Sequence, residues 1–188
     1  VWRFWTVPLP GEPGSETWIG DDINHGAGAT WITGSYDPEL DTLYWATGNP
    51  GPDLNGDNRI GDNLYTSAVV ALDPKTGKLK WYFQFTPHNI WDWDAQQPII
   101  LVDANWQGQP RKLLLQTNRN GFFYVLDRTS GKLLSAEKIG KVFERPLGGY
   151  RARRDARSVL IVGAGDGGRL LLREILRNPD LGMRPVGF

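Results

Sequence analysis

The chain has 188 residues, and its 21 basic and 21 acidic side chains leave it without net formal charge. This balance gives no support to a nucleic-acid partner, which a basic surface would attract, and the absence of cysteine excludes disulfides and thiolate metal sites. No apolar run approaches the roughly 18 residues of a membrane span, so no membrane segment is expected.

The first 142 residues predict a mainly β domain. Short runs of β-branched and aromatic residues, which suit a pleated surface, alternate with turns rich in Gly, Pro, Asn and Asp. No helical periodicity of useful length appears before residue 158. The predicted strands are Leu43–Thr47, Ala68–Leu72, Lys80–Gln84 and Phe122–Leu126.

An internal repeat narrows the fold. Ala71–Leu79 returns as Val125–Leu133, 54 residues later, and each copy predicts two strands joined by a tight turn that ends in glycine. A weaker echo begins at Tyr36. A hairpin that recurs every 40 to 50 residues or so is typical of β-propeller blades, and Trp45 and Trp81 would dock between adjacent blades. An ordinary β-sandwich with chance similarity is the alternative.

The character of the chain changes after residue 142. Residues 143–157 are rich in basic side chains and predict a linker, with an anionic-lipid or nucleic-acid patch as the alternative. Residues 158–188 predict a short α/β fragment of the βαβ, Rossmann-like type. Its turn glycines would let a pyrophosphate approach a helix N-terminus and bind NAD(P), unless the loop is glycine-rich by chance. The strand, turn glycines and helix are Ser158–Val162, Gly163, Gly165, Gly168 and Arg169–Arg177.

Two carboxylates lie among aromatic residues at Asp92 and Asp94. In an extended segment they would point to one face, and such close charges need a cation or a proton. They therefore indicate either a hard-metal site with a catalytic carboxylate beside it or a solvated turn. Asn49 follows a predicted strand, and its amide oxygen could bind the same kind of metal or simply belong to a turn before proline.

Two further loops are less informative. Residues 53–58 mimic the start of a calcium loop, but the glycine is one place early and Leu64 occupies the position of the bidentate Glu, which favours a plain polar loop. Arg119 precedes an Asn-Gly turn signal. Its side chain could bind an anion or a carbonyl, or lie exposed in a hairpin turn.

Taken together, these motifs resemble one family. Their order and spacing are similar to those of the methanol/ethanol type of PQQ-dependent (quinoprotein) alcohol dehydrogenases, over residues 1–142. The resemblance implies a partial β-propeller, with about three blades of an eight-bladed quinoprotein propeller. The matching runs are Gly28–Pro38, Tyr44–Pro50, Thr86–His88 with Trp91–Asp92, and Arg119–Gly121.

The resemblance also implies roles for individual residues. Trp31 would form the floor under the PQQ ring system, Thr30 would line the cofactor edge, and Arg119 would donate hydrogen bonds to the quinone oxygens. Asn49 would bind the metal ion. Asp92 would be the catalytic base beside that ion.

Asp94 separates two branches of the family. The calcium enzymes usually have a small residue at this position, whereas the lanthanide-dependent branch has Asp. The metal is therefore expected to be Ca²⁺ or a lanthanide ion, with Asp94 as the feature that favours the lanthanide.

The activity implied is oxidation of a primary alcohol in the periplasm, with an electron acceptor such as a cytochrome c. The family's metal-binding Glu and later blades have no counterpart in this chain, which begins in mid-strand without an initiating Met. We therefore expect a truncated and inactive dehydrogenase. A non-catalytic propeller-type interaction module is the alternative.

The C-terminal segment resembles the NAD-binding start of polysaccharide-biosynthesis sugar-nucleotide epimerases and dehydratases, over residues 158–188. That family works on the cytoplasmic side, whereas the quinoproteins are periplasmic. A chimeric reading frame with its join near residues 142–150 is the simplest hypothesis that accounts for both resemblances. A fragment of an NAD-binding epimerase or dehydratase is thus a third possible function.

Overall fold

Eight strands follow one another along residues 1–139, the part of the chain that the computed structural model describes. They belong to two units, Val1–Ile99 and a second that begins at Ile100. The predicted linker at 143–157 and the predicted NAD(P) ligands Gly163, Gly165 and Gly168 lie outside the described residues. Within residues 1–139, no helix is long and apolar enough to cross a membrane.

The first unit contains a four-stranded antiparallel sheet with its strands in chain order. All five residues of its third strand are buried, whereas the second strand alternates between buried and half-buried positions. Continuous burial is expected of a central strand that is covered on both faces. The strands are β1 (Ser35–Asp37), β2 (Thr42–Ala46), β3 (Ala68–Leu72) and β4 (Leu79–Gln84).

The second unit has a sheet of the same kind, also in chain order. Its core is a cluster of side chains from three strands. Val102, Leu113 and Val125 belong to this cluster, one from each strand. Four-stranded antiparallel sheets of this form are the building blocks of β-propellers. The strands are β5 (Ile100–Trp106), β6 (Gln109–Thr117), β7 (Phe122–Asp127) and β8 (Leu133–Lys138).

The repeated hairpin is confirmed in both units. In the β3–β4 turn, Gly77 donates its backbone N–H to the carbonyl of Asp73 at 2.8 Å, and Gly131 does the same with Asp127 in the β7–β8 turn. The φ angles of these glycines, 71° and 75°, lie in the left-handed region that glycine adopts without strain. The sequence repeat therefore encodes the same turn twice.

The expectation of about three blades is wrong for the described residues, which contain two four-stranded sheets. The weak echo at Tyr36 does not mark a further blade. Tyr36 lies in β1, which pairs with β2 as the outer strand of the first sheet. Residues 1–34 contain short 3₁₀ turns at Ser15–Thr17 and Asp22–His25 instead of strands.

Candidate functional site

The site in the first unit is built on the chain that leaves β2. Gly48 donates its N–H to the carbonyl of Ala29 at 2.9 Å, and Gly28 donates to the carbonyl of Asn49 at 2.9 Å. These two hydrogen bonds hold residues 28–31 alongside residues 48–50. The segment that carries Thr30 and Trp31 is thereby placed next to Asn49, although the two are distant in sequence.

The side chain of Asn49 is oriented by its neighbours. Its Nδ2 donates to Oδ1 of Asp53 at 2.7 Å and to the carbonyl of Pro50 at 3.1 Å. Both partners are oxygens that can only accept, so the amide orientation is determined. The amide oxygen is left as an acceptor to which no described residue donates, on a side chain that is 8% exposed. This arrangement suits a hard-metal ligand.

Asp94 contacts the backbone of Asn49. Its Oδ1 accepts a hydrogen bond from the backbone N–H of Asn49 at 3.0 Å. A Cβ atom placed on Gly48 would lie 2.9 Å from that oxygen and 3.2 Å from Cζ3 of Trp31. The absence of a side chain at Gly48 therefore allows a carboxylate, an amide and an indole ring to meet around one backbone position.

A buried asparagine shapes the loop that carries the two predicted carboxylates. Asn89 is fully buried, and its Nδ2 donates to Oγ of Ser67 at 2.9 Å and to the carbonyl of Trp93 at 3.0 Å. Its Oδ1 accepts from the N–H of Trp91 at 2.9 Å. The rings of Trp91 and Trp93, called here the stacked indole pair, lie 4.7 Å apart with 18° between their planes.

The backbone at Asp92 is not extended, so the condition under which Asp92 and Asp94 would point to one face is not met. Asp92 has a φ angle of 55°, in the left-handed region that few residues other than Gly, Asn and Asp adopt. The side chain of Asn89 holds the chain on both sides of it, which explains how the conformation is maintained. Such conformations concentrate at functional sites. Asp92 is half-buried on the same loop as Asp94, and its role stays a prediction.

The predicted cofactor residues differ in their surroundings. Trp31 is 58% exposed, and its ring edge lies at Gly48. The backbone before it is held by Gln96, whose Nε2 donates to the carbonyls of Ala29 and Ala46 at 2.6 Å each. Thr30 lines an apolar cavity of about 220 Å³. The other lining residues are Trp2, Phe4, Thr6, Leu43, Trp45, Thr47, Val70 and Leu72.

Arg119 belongs to the second unit, where it is exposed in the turn between β6 and β7. Its neighbours Asn118 and Asn120 are each 4% exposed. Asn118 accepts from the N–H of Asn120 at 3.1 Å, and Asn120 donates from Nδ2 to the hydroxyl of Tyr124 at 2.8 Å. The hydrogen bonds of these two buried asparagines hold the turn, and Arg119 is exposed between them.

The side-chain oxygens of Asn49 and Asp94 in the first unit are of the type that binds a hard cation. Carboxylate and amide oxygens are ligands that Ca²⁺ takes. Asn49 and Asp94 supply one of each, and the Asp94 carboxylate is bonded to the backbone N–H of Asn49. In residues 1–139, no three His, Asp or Glu side chains cluster in a way that could hold a metal by themselves. A metal site built from this unit therefore needs an oxygen ligand besides the carboxylates, and the amide oxygen of Asn49 is a candidate for it.

The sequence alone missed three residues that organise the site. Asp53 was assigned to a plain polar loop, yet it orients the Asn49 amide. Asn89 and Gln96 were not singled out, although their side chains hold the two segments that carry the candidate ligands. In the sequence, their one distinguishing feature is that each is a polar residue next to a candidate motif. Many surface loops have such residues, so this feature does not identify a functional role.

Comparisons with known proteins agree with these observations. The family model for the PQQ glucose/ethanol/alcohol dehydrogenase β-propeller domain matches residues 1–147. The chain is 51% identical over 156 residues to quinohemoprotein alcohol dehydrogenase ADH IIB of Pseudomonas putida, covering 76% of this chain and 22% of that protein. It is 43% identical over 135 residues to the lanthanide-dependent methanol dehydrogenase of Methylorubrum extorquens, covering 72% and 22%.

Solved structures show the same likeness. Quinohemoprotein alcohol dehydrogenase ADHIIG of Pseudomonas putida HK5 superimposes with a TM-score of 0.70 at 42% identity, covering 73% of this chain and 22% of that one. A europium-containing methanol dehydrogenase gives a TM-score of 0.64 at 41% identity, covering 71% and 23%. The chain thus spans between a fifth and a quarter of the length of these relatives.

Proposed function

Because this chain belongs to the PQQ β-propeller family of glucose, ethanol and alcohol dehydrogenases, we propose that it supplies part of the active site for PQQ- and metal-dependent oxidation of a primary alcohol. The observation that carries the proposal is the geometry around Gly48. There the Asp94 carboxylate accepts the backbone N–H of Asn49, and both this carboxylate and the Trp31 ring edge border Gly48, the residue before Asn49. This chain spans 22% of the length of relatives such as ADH IIB. We therefore propose alcohol oxidation for a full-length family protein, and binding of the metal ion and PQQ for this chain.

The metal ion is proposed to bind the oxygens of Asn49, Asp92 and Asp94. Asp53 holds the Asn49 amide so that its oxygen, and not its nitrogen, is available. One Asp94 oxygen accepts from the Asn49 backbone, which orients the carboxylate. A second acidic ligand beside Asp92 favours a trivalent ion over Ca²⁺, and one similar protein is named a lanthanide-dependent methanol dehydrogenase.

The cofactor is proposed to bind against Trp31, with Thr30 at its edge. An exposed indole ring offers a flat apolar surface on which a planar ring system can stack. Arg119, in the second unit, is proposed as a donor to the quinone oxygens on the family resemblance alone. When bound, PQQ supplies the two-electron oxidant and the metal ion supplies Lewis acidity.

Asp92 is proposed to accept the hydroxyl proton of the alcohol at a carboxylate oxygen. A general base must be held in one geometry before it can act. The left-handed backbone at Asp92 and its anchoring through Asn89 provide that constraint. The residues on both sides of Asp92 in sequence form the stacked indole pair, which adds a rigid contact to the same loop.

The remaining assignments rest on the family resemblance. A periplasmic location and an electron acceptor such as a cytochrome c are proposed for the family protein. The division into a propeller part at 1–142, a linker at 143–157 and an NAD(P)-binding fragment at 158–188 is likewise a proposal, and the family match ends at residue 147.

A fluorescence titration of the purified chain with PQQ, with and without La³⁺ or Ca²⁺, tests the proposal. We expect saturable tryptophan quenching that depends on the metal and is lost in Asp92→Ala. Asp57→Ala is the matched control, because Asp57 is an exposed aspartate in a loop of the same unit. Quenching that is independent of metal, or equal in both variants, would refute the proposed site.

A further inference from the structure

A fully buried arginine lies beneath the candidate site. Arg59 is 0% exposed. Its Nη2 donates to the carbonyl of Pro52 at 2.9 Å and to the carbonyl of Asn89 at 2.8 Å, while its Nη1 donates to Oδ1 of Asn63 at 2.8 Å. One guanidinium group therefore joins three separate segments of the first unit.

Two of those segments carry the proposed ligands. Pro52 lies in the loop that begins at Asn49 and is followed directly by Asp53, which orients the Asn49 amide. Asn89 anchors the loop that carries Asp92 and Asp94. A single nitrogen atom, Nη2 of Arg59, thus links the backbone of the metal-ligand loop to the backbone of the carboxylate loop.

Burial of this cation is costly, which argues for a specific role. Burial lowers the pKa of Arg59, and the charges of Asp22 and Asp53 oppose that shift. Its Nε is buried without a hydrogen-bond partner among the described residues. A buried donor without a partner adds to the cost of burying this cation.

Lysine cannot reproduce this geometry. The guanidinium is planar and presents its donors in a fixed fork on two terminal nitrogens, whereas the lysine side chain has one terminal nitrogen and ends one bond short of the Nη positions. A change of Arg59 to Lys keeps the charge and removes the fork. It therefore separates the electrostatic contribution of Arg59 from its geometric one.

We propose that Arg59 is a positioning residue that sets the spacing between the Asn49 loop and the Asp92–Asp94 loop, and so the affinity of the metal site. This inference rests on the proposed function, because it assumes that the two loops hold one ion. Arg59 itself contacts neither ion nor substrate. Its effect is transmitted through the carbonyls of Pro52 and Asn89.

Terbium(III) is a suitable probe, because it takes oxygen ligands and luminesces when nearby indole rings absorb light. The full 188-residue chain is titrated with TbCl₃, and the luminescence lifetimes in H₂O and D₂O report the number of bound waters. We expect Arg59→Lys to weaken binding by about tenfold or more, as substitutions behind metal ligands typically do. We also expect it to increase the number of bound waters.

Arg128→Lys is the matched control. Arg128 is 5% exposed and lies in the second unit, where its Nη1 donates to the carbonyl of Val102 at 3.0 Å and to Asp103 at 2.5 Å. Its replacement should lower the thermal midpoint of the chain but leave the terbium affinity and the bound waters unchanged. A folded Arg59→Lys chain with wild-type affinity and bound waters would overturn the inference.

Two more variants keep the test decisive. If Arg59→Lys does not fold, Asn63→Gly removes one acceptor of the fork, and glycine adopts the φ angle of 59° at this position without strain. Unchanged terbium affinity in that folded variant would also overturn the inference. Asp94→Ala tests the metal site itself. If wild type does not bind terbium, or binds it equally well without Asp94, the proposed function fails and this inference fails with it.

Discussion

A methyl group at Gly48 should disturb the candidate site directly. The Cβ atom of Gly48→Ala would lie 2.9 Å from Oδ1 of Asp94, closer than such contacts normally allow, and 3.2 Å from the Trp31 ring. The Asp94 carboxylate must then move, and it loses the hydrogen bond from the Asn49 backbone.

The magnitude follows from these contacts. Loss of a hydrogen bond to a charged group costs about 1.5–3 kcal/mol. Where the backbone conformation suits alanine, replacing glycine by alanine stabilises the folded protein by about 0.4–1 kcal/mol, because it reduces the conformational entropy of the unfolded chain. The φ angle of Gly48 is outside the left-handed region, so alanine adopts it. The expected net loss in the free energy of unfolding is about 1–2 kcal/mol.

A double-mutant cycle measured by urea unfolding and tryptophan fluorescence tests the cause. In an Asp94→Ala background the displaced oxygen is absent, so Gly48→Ala should cost less; the carbonyl oxygen of Ala29, 3.2 Å from the new Cβ, is close in both backgrounds. A coupling free energy of about 1 kcal/mol between the two positions is expected, within the range found for residues in contact. If Gly48→Ala destabilises both backgrounds equally, the contact with Asp94 does not explain the need for glycine.

Other changes test the anchoring of the site and the pH response. Asn89→Ala removes one buried and two partly buried hydrogen bonds at 2.9–3.0 Å and should cost about 2–4 kcal/mol. The exciton signal of the stacked indole pair in circular dichroism should disappear, and a retained signal would contradict the anchoring role. Burial raises the pKa of Asp127, but hydrogen bonds from Thr129 and from the Arg111 guanidinium outweigh it and leave the pKa below its ordinary value. The resulting stability is present above the unfolded-state pKa of about 3.9 and is lost as the pH falls through the lower folded-state pKa. The urea midpoint should therefore fall on acidification below about pH 4, and fall less in Asp127→Asn; equal slopes would refute this assignment.

The sequence by itself determined the features that depend on near neighbours. The Asp-to-Gly hairpin turns close within five residues, from Asp73 to Gly77 and from Asp127 to Gly131, so the repeat could be recognised as two similar hairpins. Strand β3 was predicted with its observed bounds, because a continuous run of apolar residues is distinctive. The motif series also identified the family, which the comparisons confirm.

Only the tertiary structure decided how the site is assembled. The hydrogen bond between Asn49 and Asp94 joins residues 45 positions apart, and Gln96 contacts a carbonyl 67 positions away. No local pattern encodes such pairings, because they depend on which strands become neighbours. The two sheets found in residues 1–139 and the left-handed backbone at Asp92 also depend on contacts that no local pattern encodes. Sequence could name the chemical groups, but packing determined which of their atoms are free to bind a ligand.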